Sequence, residues 1–446
     1  MTVLLKTLQV LLALSVLIFV HELGHYTFAR LFHIRVDKFY LFFDIGGKRL
    51  FSTRHNRLLN RLFPRLKDAS TDYGIGWLPL GGYCKISGMV DESLDTEQLK
   101  KAPEPWEFRS HPAWQRLLVM LGGVLFNFIF AIIVYIGLLA HNGTSYIANE
   151  ESCIYTNALG EQMGFRSGDR ILSFDDYVPE NFSMLQADLV RRAPSVAKVL
   201  RNGRDTVILY VDHSLTGELL NTAGVFDLAI PFVVDTIPAG TLNDGLLVRG
   251  DRILSIEGRE VPFVQDSRKL LKQYRSMTVT ADVCRAGDTL SVPLQVDSSG
   301  LLGVYPVIGG IRTKEYTLLE AIPAGVSLTF SNISSYLKDL KLVFQPSTGA
   351  YKSVGSFIAI GQVFPSTWDW TAFFSILALL SIVLGVMNLL PIPGLDGGHA
   401  LITLYEMITG RKPSDRFLYI AQIIGMALLV MLMFLAFGND IARLIK

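Results

Sequence analysis

The sequence of 446 residues is half hydrophobic, and only 18% of its residues are charged. Soluble domains usually contain about 25% charged residues, so this composition favours a membrane protein. The formal net charge of +1 excludes a strongly basic protein of the kind that binds nucleic acid. The three cysteines form no CxxC pair and no disulfide framework.

Four stretches are apolar and long enough to form helices of about 20 residues, the length that crosses a bilayer. They lie near residues 4–28, 115–140, 371–390 and 418–437. Only one basic residue, Lys6, lies near the start of the first stretch, and no small-residue cleavage site follows the stretch. We therefore expect a retained helix instead of a signal peptide. The pattern predicts a polytopic α-helical membrane protein.

The first apolar stretch carries the sequence HELGH at residues 21–25. Positions i and i+4 share one face of a helix, so His21 and His25 can point at one metal ion. Glu22 lies beside the first histidine and can accept a proton from water at that metal. Polar and charged residues inside an apolar span are costly and usually mark function. The motif therefore predicts a zinc site.

Basic residues in the short connecting segments indicate the orientation of the spans, because they concentrate on the cytoplasmic side. Lys and Arg are frequent between residues 30 and 67 and occur again at residues 411–416. Both segments are therefore predicted to be cytoplasmic, and the long region between the second and third spans is predicted to lie outside. The HELGH motif then lies near the cytoplasmic side.

Residues 71–90 are rich in glycine and alternate in polarity, which predicts a β-hairpin. Unpaired backbone amides cannot face lipid, so this hairpin must lie on protein or line a wet cavity. The acidic, proline-containing residues 91–105 are predicted to form a solvated loop, and residues 315–345 an amphipathic helix along the membrane surface.

The region between the second and third spans contains an internal repeat. The sequence Gly-Asp-Arg-Ile-Leu-Ser occurs at residues 168–173 and again at 250–255, and alternating strands are predicted at 206–211 and 278–283. The repeated element resembles that of PDZ domains, which bind extended peptides by adding a strand to a sheet edge. The alternative is that two β-rich modules serve as spacers.

A catalytic zinc site normally has three protein ligands and one open position. Residues 388–399 read NLLPIPGLDGGH at the end of the third span. Pro391 and Pro393 end the helix, and the glycines permit a sharp turn, so Asp396 can reach the metal. On residue chemistry alone, Asp396 as the cap of the next helix and His399 as the third ligand remain open alternatives.

HExxH in the first span, the PDZ-like repeat and NxxPxPxLDGG in a late span together resemble the site-2 protease family of intramembrane zinc metalloproteases, peptidase family M50. Within that family the chain is similar to the bacterial regulator-of-sigma-E protease branch. The resemblance implies that Zn²⁺ is held by His21, His25 and Asp396 and that Glu22 is the catalytic base. His399 then becomes a residue at the start of a helix.

The resemblance also implies two elements that hold the substrate. Asn388 is expected to engage the substrate backbone, and the segment with Gly81, Gly82 and Tyr83 resembles a membrane re-entrant β-loop that pairs with the unwound substrate. The chain departs from the family pattern at residues 123–127, which lack the usual proline, and at residues 353–361, which lack the common Gly-Pro-Val-Gly-Ile form.

The predicted organisation is a membrane protease domain split by two inserted PDZ domains. Its parts are the first half at 1–141, the PDZ domains at 142–228 and 229–312, and the second half with the surface helix at 313–446. The expected substrate is a single-span membrane protein, such as an anti-sigma factor already shortened by a first protease. We expect the protease in a bacterial inner membrane, with its PDZ domains, which can bind peptide, in the periplasm.

Three other functions are weighed against this hypothesis. Another membrane zincin would need a ligand from a downstream glutamate, whereas the LDGG sequence favours Asp396. A non-catalytic, PDZ-bearing scaffold with a structural metal site would more often have a fourth protein ligand, and it would not need Glu22. A transporter is disfavoured because the four spans show no inverted repeat.

Overall fold

Eleven α-helices are present in the part of the chain that the computed structural model describes, residues 2–56, 61, 70–89, 102–222, 224–238, 240–345, 348 and 350–445. They are α1 (Thr2–Leu31), α2 (Ala113–Asn142), α3 (Ala158–Gln162), α4 (Leu185–Arg192), α5 (Thr216–Asn221), α6 (Val264–Leu271), α7 (Leu318–Val343), α8 (Phe357–Val363), α9 (Trp370–Leu389), α10 (Asp396–Thr409) and α11 (Asp415–Ile445). Helices α1, α2, α9 and α11 are each long and apolar enough to cross a membrane. The prediction of four such helices is confirmed.

The strands, in chain order, are β1 (Val36–Phe43), β2 (Arg49–Ser52), β3 (Asp72–Gly76), β4 (Leu78–Ile86), β5 (Thr144–Ile147), β6 (Ile154–Thr156), β7 (Arg170–Phe174), β8 (Val196–Arg201), β9 (Asp205–Tyr210), β10 (Phe226–Leu228), β11 (Val234–Thr236), β12 (Arg252–Ile256), β13 (Arg259–Glu260), β14 (Thr278–Arg285), β15 (Asp288–Gln295), β16 (Tyr305–Pro306) and β17 (Ile311–Lys314). Two compact units contain these elements, one of residues 1–143, 315–344 and 351–446, the other of residues 144–314 and 345–350.

In the first unit, glycine allows α1 and α2 to pack with their backbones in close contact. A Cβ atom added to Gly24 would lie 2.2 Å from the carbonyl oxygen of Gly122. Small residues at such a crossing are the usual way in which apolar helices approach closely. The crossing brings the part of α1 that carries HELGH directly against α2.

The first unit also contains a four-stranded sheet in the order β2-β3-β1-β4. The predicted hairpin at 71–90 is wrong, because β3 and β4 do not pair with each other and β1 lies between them. A single residue, Trp77, separates the two strands, and this is shorter than the two-residue loops that join hairpin strands. The chain instead crosses the end of β1, where Gly76 packs against the backbone of Phe43.

Helix α7 begins with a capping box formed by Thr317 and Glu320. It packs along α2, and a Cβ atom added to Gly325 would lie 2.6 Å from the Ile136 side chain. The predicted helix at 315–345 is therefore present, while its position at a membrane surface stays a prediction. Most of the predicted loop at 91–105, and the basic positions at 57–60 and 62–69, lie outside the described residues.

The second unit contains the two copies of the repeat. The two predicted strands correspond to β9 and β14, and the main sheets are β7-β8-β9 and β13-β12-β14-β15. Arg201 forms an ion pair with Asp169 at 2.7 Å, and Arg285 forms the same pair with Asp251 at 2.7 Å. The two copies of the repeat therefore hold their equivalent aspartates by the same kind of contact. The cysteines Cys84, Cys153 and Cys284 are unpaired.

Candidate active site

The two histidines of the HELGH motif converge on one point, as their helical spacing predicts. His21 and His25 are both buried, and their Nε2 atoms are 3.2 Å apart. The rings are nearly perpendicular, at 80°. Two imidazole nitrogens are thus presented to the same small volume on the face of α1 that meets α2.

Asp396 completes this group from a distant part of the sequence. Its Oδ2 atom lies 3.0 Å from Nε2 of His21 and 3.3 Å from Nε2 of His25. Helix α9 ends at Leu389, just before Pro391, because a proline disfavours helical backbone in the residue before it. Asp396 is the first residue of α10, so Leu395 and not Asp396 occupies the N-cap position, and Asp396 Oδ2 has no hydrogen-bond partner in the described part of the chain. The capping alternative is therefore not what the structure contains.

Two glycines after Asp396 allow this arrangement. A Cβ atom added to Gly397 would lie 2.4 Å from the carbonyl oxygens of Leu389 and Leu390, and one added to Gly398 would lie 2.4 Å from that of Ile392. A larger residue at either position would push the start of α10 away from the end of α9. His399 lines a cavity beside Asp396 but is not part of the His-His-Asp cluster.

The three side chains fit a zinc ion. Their facing atoms form a triangle with sides of 3.0, 3.2 and 3.3 Å. Two ligands bound at 2.0–2.1 Å to a tetrahedral zinc lie about 3.3 Å apart. Asp396 Oδ2 is buried and accepts no well-formed hydrogen bond from the described residues. The nitrogen and oxygen donors are those that zinc prefers, and no other His, Cys, Asp or Glu cluster of this kind occurs among the described residues.

Helix α2 orients both imidazoles from the side opposite the metal position. His25 Nδ1 donates to the carbonyl oxygen of Val119 at 2.8 Å, which leaves Nε2 free for a metal. His21 Nδ1 lies 3.0 Å from the amide of Asn127, whose other amide atom is buried without a partner. Amide oxygen and nitrogen are assigned by their hydrogen bonds. With the oxygen facing His21, Asn127 accepts the Nδ1 proton, which leaves Nε2 of His21 free for a metal.

Sequence reasoning did not identify this role of Asn127. It noted residues 123–127 because they lack the proline that is usual in the family. The available signal was an asparagine inside an apolar stretch, because such a polar group needs a partner there.

A cavity of about 510 Å³ adjoins the His-His-Asp group. Its lining includes other residues of β1 and β4 and four residues predicted from sequence, Glu22, Asn388, Gly82 and Tyr83. Glu22 lies beside the backbone of Cys84 on β4, and both residues line the cavity. The Nδ2 atom of Asn388 lies 3.3 Å from Nε2 of His21. These four residues, predicted from sequence, therefore surround one space.

Gly81 does not line this cavity. A Cβ atom there would lie 2.4 Å from the ring of Phe43, so the position requires glycine for packing against β1. Its neighbours Gly82 and Tyr83 do face the cavity, on a strand that pairs with β1 along one edge only. Of the three predicted residues, Gly81 therefore packs on β1, whereas Gly82 and Tyr83 line the cavity.

Tyr83 is held in the cavity wall by charged residues. Its hydroxyl donates to Asp44 Oδ1 at 2.8 Å, and Lys38 donates to Asp44 Oδ2 at 2.9 Å. Burial alone would raise the pKa of Asp44, but the hydrogen bonds from Lys38 and Tyr83 hold that pKa below its usual value. The ion pair between Asp44 and Lys38 thus fixes the hydroxyl of Tyr83 in the cavity wall beside the His-His-Asp group.

Comparison with known proteins agrees with this geometry. The model of peptidase family M50 matches residues 9–432. A protein of Neisseria meningitidis that is named as a zinc metalloprotease is 28% identical, with 98% of this chain and 99% of the relative aligned. The Regulator of sigma E protease of Haemophilus influenzae is 27% identical, with 97% of this chain and 98% of the relative aligned.

The match covers nearly the whole chain and includes both segments that supply the His-His-Asp group. Together with that group, it accounts for the zinc chemistry predicted from HELGH. The chain belongs to peptidase family M50 and is a zinc metalloprotease.

Proposed function

We propose that this metalloprotease cleaves single-span membrane proteins within or near their transmembrane segment. The observation that carries the proposal is the position of HELGH inside α1, a helix with 29 residues of membrane-spanning character. The cavity beside the motif is lined by residues of α1, of the last turn of α9, of the first turn of α10 and of strand β4. A protease acting on soluble substrates has no need to place its catalytic group in such a helix.

His21, His25 and Asp396 are the proposed zinc ligands. When bound, zinc supplies a Lewis acid for the scissile carbonyl and makes water a stronger acid. Glu22 accepts a proton from the attacking water and transfers it to the leaving amine. Asn388 is placed to donate a hydrogen bond to the substrate backbone.

The free edge of β4 is the proposed site for the substrate strand. A transmembrane helix keeps its peptide bonds in internal hydrogen bonds, so it must unwind before cleavage. Strand addition at an open sheet edge would supply replacement hydrogen bonds. Gly82 and Tyr83 line the cavity at this edge, whereas Gly81 contributes by packing on Phe43.

The two repeated modules are proposed to be PDZ domains at 142–228 and 229–312, inserted between membrane segments 1–141 and 313–446. The equivalent Asp–Arg pairs in both modules support a common fold. The distribution of basic residues supports periplasmic PDZ domains and a catalytic site near the cytoplasmic face of a bacterial inner membrane. The name of the Haemophilus relative supports a substrate of the anti-sigma-factor type.

The proposal is tested by incubating purified protein in detergent with a model single-span substrate and counting bound zinc. Glu22→Gln should keep its zinc and lose at least about 100-fold in cleavage rate, because it lacks the base. Glu315→Gln, at an exposed position of the same unit, is the matched control and should cleave like the wild type. Mass spectrometry of the products locates the cut.

Cleavage only in the soluble parts of the substrate would contradict the intramembrane site. Undiminished cleavage by Glu22→Gln would contradict the role of Glu22 as base. A wild type that binds zinc but cleaves no substrate in a panel trimmed on the external side would refute the proposed reaction.

A further inference from the structure

Helix α10 carries Asp396, yet the side chains that it buries are small. Its buried residues are Gly397, Gly398, Ala400 and Thr403. Small residues permit a close approach to neighbouring helices but interlock little, so they resist sliding and rotation weakly. Something else must hold α10 at the position that brings the Asp396 carboxylate within 3.0 Å of His21.

An ion pair joins α10 to α2. The guanidinium of Arg116 donates to Glu406 Oε1 at 2.5 Å, and the two side chains are only 10% and 12% exposed. Arg116 Nε also donates to the carbonyl oxygen of His111 at 3.0 Å, which fixes the guanidinium at the start of α2. No other ion pair joins these two helices within the described ranges.

The position of Glu406 in α10 is not one that a helix favours for glutamate. A carboxylate in the last turn of a helix is disfavoured by the helix dipole, and Glu406 lies in the last turn of α10. A partly buried carboxylate also costs free energy unless it is paired. Its pairing with Arg116 offsets both costs and defines one position of α10 along α2.

The same end of α2 also positions a ligand from α1. Val119 lies one helical turn after Arg116, and its carbonyl oxygen accepts the hydrogen bond from His25. Glu406 lies about 15 Å from Asp396 along α10, at 1.5 Å per residue. Helix α2 is thus the common reference for ligands that two other helices carry.

We propose that Arg116 and Glu406 are positioning residues for the zinc site, which fix α10 so that Asp396 meets His21 and His25. The inference rests on the proposed role of Asp396 as the third ligand. Zinc–ligand distances vary by only about 0.2 Å, so a small displacement of α10 weakens binding. Neither Arg116 nor Glu406 touches the metal or the substrate.

The test measures the zinc dissociation constant of the full chain in detergent by competition with a chelator, alongside the unfolding temperature. Glu406→Gln removes the charge, and Glu406→Asp keeps the charge but shortens the side chain by one methylene. Both should bind zinc about 3- to 30-fold more weakly than the wild type, the range expected for residues that act on a site from a distance. Arg116→Met should match Glu406→Gln, and the double variant should lose no more than either single variant.

Glu107→Gln is the matched control, because it breaks an Arg–Glu pair with Arg109 that lies within a single turn at 2.6 Å. It should lower the unfolding temperature without changing zinc affinity. Zinc affinity within twofold of the wild type in both Glu406 variants would overturn the proposal, as would an equal loss in Glu107→Gln. If Glu406→Gln fails to fold, Glu406→Asp decides alone.

Asp396→Asn separates this inference from the function on which it rests. Undiminished zinc binding by Asp396→Asn would refute Asp396 as a ligand. Loss of zinc by Asp396→Asn, combined with normal binding by the Glu406 variants, would refute only the positioning role.

Discussion

Gly123 of α2 lies directly against the metal-facing edge of His25. A Cβ atom added to Gly123 would lie 2.5 Å from His25 Nε2 and 2.5 Å from His21 Cε1. Real Cβ atoms do not approach other heavy atoms this closely. The backbone of α2 therefore forms the floor under both imidazoles, and any side chain at this position must displace them.

Gly123→Ala should reduce zinc affinity and cleavage together. A displacement of about 1 Å at a catalytic group can cost about 100-fold in rate, and we expect a loss of that order. Gly137→Ala is the control on the same helix, because a Cβ atom there meets nothing within 4 Å. It should leave zinc affinity unchanged and raise helix stability slightly, since alanine favours helix. Equal zinc affinity in both variants would contradict this packing.

Asn127→Ala should weaken zinc binding by about 10- to 100-fold, because His21 loses the partner that fixes its ring and tautomer. Asn127→Asp keeps an acceptor at the same place and should retain more affinity than alanine. Asn142→Ala, near the end of the same helix, removes an exposed hydrogen bond to Thr371 and should have no effect. Zinc titration of the apoprotein measures all three. A weaker Asp variant than Ala variant would argue against an acceptor role.

Gly24→Ala should destabilise the first unit, because the methyl group would meet the Gly122 carbonyl at 2.2 Å. Overpacking of this kind typically costs about 1–3 kcal/mol of unfolding free energy. Unfolding in mixed micelles measures the change, and Gly438→Ala on α11, where nothing lies within 4 Å, is the control. Similar stability of both variants would show that α1 and α2 can separate without cost.

The local part of the active site could be predicted from sequence, because helical geometry alone brings His21 and His25 together. Asp396 required more, since a proline break and a turn do not reveal which distant side chain the carboxylate will meet. The residues alone left capping and His399 as alternatives, and the resemblance to a known family selected Asp396. Its position 3.0 Å from His21 supports that selection.

The sheet shows where local patterns fail. Residues 71–90 do form strands, but their pairing depends on β1, which lies more than 30 residues earlier in the chain. Alternating polarity indicates a strand and says nothing about its neighbour. The partners Val119 and Asn127 were missed for the same reason, because a hydrogen bond across two helices leaves no periodic signal in either.

The ion pair between Asp251 and Arg285 makes the stability of the second module depend on pH. Asp251 is fully buried, and its hydrogen bond from the partly exposed Arg285 lowers its pKa below the usual value. A carboxyl group whose pKa is lowered by folding stabilises the protein above its unfolded pKa of about 3.9. That stabilisation is lost as the pH falls through the folded pKa.

Arg285→Met should therefore destabilise the second module at pH 7, because the Asp251 carboxylate loses its ion pair and keeps, among its described contacts, only the hydrogen bond from the N–H of Val248. The deficit relative to the wild type should shrink as the pH falls below about 4, because Asp251 without Arg285 binds its proton at a higher pH than Asp251 of the wild type. Hydrogen exchange of the β12 and β14 amides reports the stability of this module within the full chain. Arg249→Met is the control, because its pair with Asp235 is 82% and 37% exposed and should contribute at most about 1 kcal/mol. A deficit that is the same at pH 7 and at pH 3.5, or equal in the two variants, would contradict a stabilising role for the buried pair.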